Sequence, residues 1–222
     1  MEFIIPSMWR KPSFTIAALE YYVSIKEITK LIIIDNDINR RPKSEVFKSN
    51  KIKILNYGQN IYVNEAWNRG MDNAGNDLVC ICNDDIRVDK LAMTLVSEFE
   101  SINPDAIDLI GVSNDPTNKC FGICPFKMDL KRNIGLQAGG LFGIAMFLMK
   151  KNYQQIPKDL KVWDGDDYLA RKCKNVFTIS PIGITGAMSS TISSLRKEGG
   201  NIDEIIKSDK FYWNNYMKKG FP

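Results

Sequence analysis

An α/β fold on a mixed, mostly parallel central sheet flanked by helices is what this sequence predicts, and three observations carry it. Short apolar runs recur at 2–6, 31–34, 51–55, 78–82 and 107–112. Stretches with apolar residues at helical spacing lie between most of them, giving the order β-α-β-β-α-β-α-β, the signature of parallel strands joined by right-handed crossovers. Two of the runs end abruptly in acids, at Asp35-Asn36-Asp37 and at Asn83-Asp84-Asp85. In open α/β sheets the carboxyl ends of strands are where ligands bind. A length of 222 residues fits one fairly large domain with a substantial core.

Each element has a local reason. After the first strand, Ser7 to Lys11 form a loop, and Pro12 or Ser13 opens a helix that carries Ile16, Leu19, Tyr22 and Val23 inward. The segment 60–75 settles into a second helix with Ala66 and Trp67 facing the core. The run Leu78-Val79-Cys80-Ile81-Cys82 is apolar on both faces, so it is a buried strand covered on both sides. Asp89 caps a helix that runs to about Ile102, with Leu91, Leu95, Val96 and Phe99 at apolar spacing. The stretch 114–133, with Pro116 and Pro125, reads as a mobile loop or a short hairpin. Gly139, Gly140 and Gly143 lead into an apolar run ending at Met149, as if backbone approaches a ligand before re-entering the core. Leu169 and Cys173 anchor a short helix, 176–180 is a late strand, and 189–194 is an exposed hydroxyl-rich loop. The tail from Ile202 reads as a terminal helix docked on the body.

Composition excludes several classes. Apolar content of 44% and charged content of 25% are those of a globular protein, and a net charge of +4 permits an anionic ligand without demanding one. No apolar run is long enough to span a bilayer, and the opening residues lack the basic region of a secretory signal. Five cysteines, an odd number with two in the core strand, read as reduced thiols of a cytoplasmic protein. The pair Cys120 and Cys124 lacks partners for a zinc site. The chain contains no histidine, which rules out Ser-His and Cys-His nucleophilic systems and leaves proton transfer mainly to carboxylates.

The acids therefore carry the chemistry. The adjacent oxygen-bearing side chains of Asn83, Asp84 and Asp85 suit a hard cation, Mg²⁺ or Mn²⁺, and such ions usually also hold substrate phosphates. Taken alone, the triplet favours a strand-ending Asx turn. A second cluster, Trp163-Asp164-Gly165-Asp166-Asp167, puts Asp166 and Asp167 at a helix start, where the helix dipole by itself favours negative charge. The fingerprint glycines of a dinucleotide fold and a P-loop are both absent.

Taken together these motifs resemble the family 2 glycosyltransferases of the glycosyltransferase A fold, a Rossmann-like architecture, over about residues 3–174. The stretch Ile4-Ile5-Pro6-Ser7-Met8-Trp9-Arg10 is similar to that family's opening nucleotide loop, and Ile33-Ile34-Asp35-Asn36 to its second-strand motif. Asn60 through Asn68-Arg69-Gly70, then Asn83-Asp84-Asp85, resemble the run into the metal motif. Gly139-Gly140-Leu141-Phe142-Gly143 resembles the acceptor-side glycine motif, and Trp163-x-Gly165-Asp166-Asp167 the motif supplying the base. Two departures stand out: the metal motif opens with Asn83 rather than Asp, and the late histidine ligand of many members is missing.

The resemblance implies a single domain with a nucleotide-sugar-binding half (1–113), an acceptor-side half (114–200) and a helical tail (201–222). It implies inverting transfer of a hexosyl or pentosyl group from a nucleoside diphosphate sugar to an acceptor hydroxyl. Donor contacts are expected from Pro6, Ser7, Trp9, Arg10, Asp35, Asn68, Asn83, Asp84 and Asp85. Asp85, with Asn83, is expected to hold Mn²⁺ or Mg²⁺, Asp167 to be the base with Asp166 the near alternative, and Gly139, Gly140 and Trp163 to lie on the acceptor side. The acceptor is a glycan or small molecule. A second candidate is DNA with hydroxymethylated bases, as decorated by bacteriophage enzymes, held by Lys131, Arg132, Arg196, Lys197 and the tail lysines. A non-catalytic binding module is the third reading, against which the two acidic clusters argue.

Overall fold

Aliphatic residues and cysteine fill both faces of the central strands, and the chain supplies helices to cover each face. The computed structural model describes residues 1–112, 122–125, 142–180, 184–186, 196 and 201–220. Strands β1 (Glu2–Ser7), β2 (Lys30–Asp35), β3 (Ile52–Asn56) and β4 (Leu78–Cys82) are parallel. They are followed by a short strand β5 (Ile86–Val88), then β6 (Leu109–Val112), β7 (Gly122–Pro125), β8 (Ala145–Met149), β9 (Val176–Ser180) and β10 (Ile184–Gly186). The main sheet has eight strands in the order β3-β2-β1-β4-β8-β6-β9-β7. Strand β8 is antiparallel to both of its neighbours, and β7 is antiparallel to β9 at the edge. The predicted mixed, mostly parallel sheet is thus the observed one. β5 and β10 form a separate two-stranded antiparallel ribbon.

The period of two along each strand sorts the core into two layers. Phe3, Ile5, Leu31, Ile33, Cys80 and Cys82 pack on one face with residues of α1 (Pro12–Ser24) and α3 (Lys90–Ile102). Ile4, Ile32, Ile34, Val79 and Ile81 pack on the other with α2 (Val63–Asn73), α4 (Gly165–Lys172) and α5 (Ile202–Lys219), the last through Trp213. Pro12 stands in the first turn of α1, where its missing N–H has no intrahelical partner to lose. The Tyr22 hydroxyl of α1 accepts the Val88 amide at 2.8 Å, which ties the β5 ribbon to the first helix.

Several expectations are corrected. Leu91 is 59% exposed; the inward face of α3 is Ala92, Met93 and Val96, with Leu95 and Phe99 partly covered. Asp89 does stand at the N-cap of α3, but its side chain makes no capping hydrogen bond. The strand β5 was not expected, because three residues are too few to show alternation. Cys80, Cys82 and Cys173 are free thiols, whereas Cys124 is disulfide-bonded, so the reading of five reduced cysteines does not hold for it. The expected loop at 189–194 lies outside the described residues. Among the described residues no helix is long and apolar enough to cross a membrane.

Helix α2 approaches β1 so closely that a Cβ on Gly70 would stand 2.2 Å from Cγ2 of Ile4, a fully buried side chain with nowhere to turn. Gly70→Ala should therefore destabilise the fold by about 1–3 kcal/mol through overpacking, although alanine alone favours a helix by about 1 kcal/mol. The measurement is the urea midpoint; an unchanged or raised midpoint refutes the close approach.

Candidate active site

Strand order reverses between β1 and β4, and in open α/β sheets the ligand crevice lies at the carboxyl ends of the strands that flank such a point. Ser7, the last residue of β1, bridges it. Its hydroxyl donates to Oδ2 of Asp84 at 2.5 Å and accepts the Trp9 amide at 3.0 Å. Asp84 is fixed a second time through its carbonyl, which accepts the Thr15 hydroxyl of α1 at 3.0 Å. Burial raises the Asp84 carboxyl to a pKa of about 6; the neighbouring Asp85 charge adds to the rise, while the Ser7 hydroxyl and the amides of Trp9 and Met8 oppose it.

Trp9 takes a left-handed conformation (φ 54°) that turns its indole into the core. There Nε1 donates to Oδ1 of Asp35 at 2.8 Å. The same oxygen accepts the Asp37 amide at 3.2 Å, and Oδ2 accepts Nη1 of Arg41 at 3.1 Å. Both oxygens of Asp35 thus clasp the loops after β1 and β2, and the carboxylate is 1% exposed. Pro6 is buried within β1, and Arg10 is half-buried just beyond it.

The Asn83 amide donates to the Ile144 carbonyl at 3.0 Å, in a 3-10 turn (Phe142–Ile144) that opens β8. The adjoining Gly143 touches the second acidic cluster: a Cβ there would come within 2.9 Å of Oδ2 of Asp166, and its amide bonds that carboxylate. Asn83 and Asp166, 83 positions apart in the chain, are therefore joined through two consecutive residues. Gly139 and Gly140, the other glycines of this motif, lie outside the described residues.

The second cluster stands on a tightly made turn. Asp164 has φ 62°, a conformation that Asp and Asn tolerate better than most residues. The Cα of Gly165 faces Asn64 of α2, and a Cβ there would sit 2.2 Å from Oδ1 of Asn64. Asp166 is half-buried and Asp167 is 6% exposed. Burial, then the charge of Asp167, raises Asp166 to about 6, against the amides of Asp167, Asp166 and Gly143. Burial, then the charges of Asp167, Asp166 and Asp209, raises Asp164 to about 7, with Lys210 opposing. Trp163 is half-buried and its indole N–H has no hydrogen-bond partner among the described residues.

Asn68 is put to a different use from the one expected. Its oxygen accepts the Tyr153 hydroxyl (2.7 Å) and the Ile156 amide (2.9 Å), and its nitrogen donates to the Ile156 carbonyl (2.9 Å) and Glu65 (3.3 Å). The side chain is saturated as a strut between α2 and the 153–156 segment. Thr15, Asn64, Asp164 and Asp209 belong to the site framework without having been singled out. The signal for Asp209 was legible: an acid on the inward stripe Ile202, Ile206, Asp209, Trp213 of an amphipathic helix.

Among the described residues no three or more acids, thiols or imidazoles gather as a metal cage. Two adjacent buried carboxylates, Asp84 and Asp85, beside the amide of Asn83 do fit a hard cation that takes one or two carboxylates and completes its shell with phosphate oxygens and water.

The sequence matches no protein-family model and no curated protein. Its fold is similar to crystal structures of S. aureus TarS. One TarS structure is matched with a TM-score of 0.59 and 13% identity, over 88% of this chain and 38% of that one. TarS 1–349 in complex with UDP-GlcNAc gives 0.58 and 12% over 86% and 60%, and its complex with UDP gives 0.57 and 10% over 82% and 58%. The chain thus spans less than two thirds of the length of each of these structures, and at such identities the likeness is one of fold.

The raised carboxyls fix the direction of a pH effect. Asp84, Asp164 and Asp166 hold protons in the folded state up to about pH 6–7 that the unfolded chain releases near 3.8. Their stabilisation is complete below the unfolded value and is lost as pH rises through the folded values. The thermal midpoint should therefore fall between about pH 4 and about pH 7, and Asp164→Asn, which keeps the left-handed backbone, should lessen that fall. An equal fall in the variant would place the titrating group elsewhere.

Proposed function

We propose that the chain is a glycosyltransferase that moves a sugar, with inversion, from a nucleoside diphosphate sugar to an acceptor hydroxyl. The observation that carries this reading is the junction of the two acidic clusters through Gly143 and Ile144, which sets a phosphate-side group and a base-side group on one crevice. The fold likeness to TarS, whose crystal structures hold UDP and UDP-GlcNAc, supports it.

In this reading residues 1–113 bind the nucleotide. Arg10 and the rim of the Asp35 clasp flank the nucleoside, with the buried Trp9 supporting that clasp from beneath, while Asn83 to Asp85 face the diphosphate. Asp85 and Asn83 would hold Mn²⁺ or Mg²⁺, which neutralises charge gathering on the departing diphosphate. The acceptor oxygen attacks the anomeric carbon from the face opposite the leaving phosphate, the bond to the phosphate oxygen breaks, and a carboxylate takes the acceptor proton. We assign that carboxylate to Asp166 rather than Asp167. Asp166 is the more exposed of the two, and with a pKa of about 6 it is ionised at neutral pH yet more basic than an ordinary carboxylate.

A glycan or small molecule is the first acceptor. One observation favours hydroxymethylated DNA as the second: Lys207, Lys210, Phe211 and Lys218 share the outer face of α5, the lysines exposed and Phe211 61% exposed, a pairing suited to phosphates and unstacked bases. Arg196, also expected to hold DNA, is paired with Asp203 at 2.8 Å, and Lys131, Arg132 and Lys197 lie outside the described residues.

Asp166→Asn should lower transfer by about 10²–10⁴-fold while leaving nucleoside diphosphate binding intact. If Asp167→Asn does this and Asp166→Asn does not, the base is Asp167; if neither does, the mechanism is wrong. In a thermal-shift screen of nucleoside diphosphates with and without Mn²⁺, one of them should raise the parent's midpoint. Asp85→Ala should lose the Mn²⁺-dependent part of that rise, and a shift unaffected by the substitution removes Asp85 from the metal. For the acceptor, each donor is incubated with hydroxymethylated or unmodified DNA and the digested nucleosides are weighed. A sugar mass on the modified base, with a salt slope reduced by neutralising Lys207, Lys210 and Lys218, establishes DNA; neither effect returns the acceptor to a glycan.

A further inference from the structure

The turn carrying the acids is clasped from two sides by residues far away in the chain. From α2, the Asn64 amide donates to the Lys161 carbonyl at 3.1 Å, and its side-chain nitrogen donates to the carbonyls of Leu160 (3.1 Å) and Trp163 (3.2 Å). From α5, Asp209 accepts three consecutive amides: Lys161 on Oδ1 at 3.0 Å, and Val162 and Trp163 on Oδ2 at 2.8 and 2.9 Å. Asp209 is 0% exposed. Asn64 takes the carbonyls of the turn and Asp209 takes its amides, so the segment leading into Asp164 has its backbone polar groups met by side chains.

A carboxylate held by several amides in an apolar setting is costly to disturb, because three buried donors lose their acceptor together. The turn ends at Asp164 in its left-handed conformation, and Asp166 and Asp167 follow within one helical turn. The direction in which those acids project is therefore set by where 161–163 is pinned. Trp163, whose backbone is bonded on both sides, is the last residue before the cluster.

Resting on the transferase reading above, we propose that Asp209 is a positioning residue for the transfer reaction: the terminal helix α5 is part of the active-site machinery, aiming the acid-bearing turn rather than merely covering the sheet. The donor-side groups Ser7, Asp84 and Asp85 stand on β1 and after β4, on other elements than those that form this clasp.

The test compares the parent with Asp209→Asn, whose amide presents one acceptor oxygen and turns an N–H₂ group toward the amides it should receive. Transfer should fall by about 10–10²-fold, the loss expected of a misplacement of about 1 Å. The KM for the donor and the nucleoside diphosphate thermal shift should stay near the parent values. Amide hydrogen exchange, read site by site in the intact protein, should show 161–163 protected in the parent and exposed in the variant, with β1 to β4 unchanged. A variant that transfers at the parent rate while 161–163 exchange freely overturns the proposal. So does a donor KM that rises in proportion to the loss of transfer, which marks a general loosening. If Asp209→Asn does not fold, exchange in the parent still decides: amides of 161–163 as unprotected as an exposed loop overturn the clasp. A parent that transfers with no donor overturns the transferase reading and the catalytic part of this one. A parent that transfers, with an Asp209→Asn variant that does so equally, overturns the positioning role alone.

Discussion

One hydroxyl–carboxylate contact, Ser7 to Asp84, closes the floor of the crevice, and much of the site is arranged around it. It spans the gap between β1 and β4, where strand order reverses and no crossover helix fills the space at the carboxyl ends. The same serine oxygen takes the Trp9 amide, which fixes the turn that sends the indole to Asp35. Asp35 in turn holds Arg41 and the amide of Asp37. A chain of charge-assisted hydrogen bonds thus runs from β4 across β1 to the loop after β2, each link leaving the next fewer conformations. The Thr15 hydroxyl, bonded to the Asp84 carbonyl, anchors the chain to α1.

Within the two acidic clusters, Asp84, Asp164 and Asp166 stand apart electrostatically from Asp105, an acid held by a cation. Glu2, equally buried, pairs with Lys30 at 3.2 Å and takes the Gly75 amide; Asp105 is held low by Lys151. Asp84, Asp164 and Asp166 are instead pushed upward, chiefly by burial and then by one another. Carboxyls whose environments drive their titration toward neutrality are what a site that neutralises phosphate or accepts protons requires. Trp9, Tyr62 and Asp164, the non-glycine residues with positive φ among those described, all stand in loops at this end of the sheet. Backbone strain of this kind persists where surrounding contacts over-determine it, as the Asp209 and Asp35 clasps do.

Much of the architecture was legible because burial on both faces writes itself as unbroken apolar runs: β4 coincides with its expected bounds, β1 differs by one residue at one end, and β2 and β3 by one residue at each end. Helical spacing placed Ala66 and Trp67 inward, as found. The direction of β8 was not legible, since an antiparallel and a parallel buried strand have the same composition. Nor was the use of the polar residues. Asn68 and Asp35 lie in motifs that suggest ligand contacts, yet their side-chain hydrogen bonds go to protein groups, for Asn68 as far as Tyr153 and Ile156 and for Asp35 as far as Trp9, and only the tertiary arrangement shows which. Gly143 read as a close approach of backbone to a ligand and Gly165 as part of the acidic motif; what stands against each is a side chain of the protein itself, Asp166 and Asn64.

Strand β8 has one more consequence. It comes from the later part of the chain, yet it lies in the middle of the sheet, pairing β4 on one side and β6 on the other. While the protein is being synthesised, β1 to β4 can assemble as soon as residue 82 has left the ribosome, but the outer edge of β4 then stays open until 145–149 emerge. An open, wholly apolar edge invites pairing with a neighbouring nascent chain. The placement also means that residues 1–112 do not make a separable sheet: β4 and β6 are joined only through β8, so one hydrogen-bonded ladder runs from the early strands to the late ones.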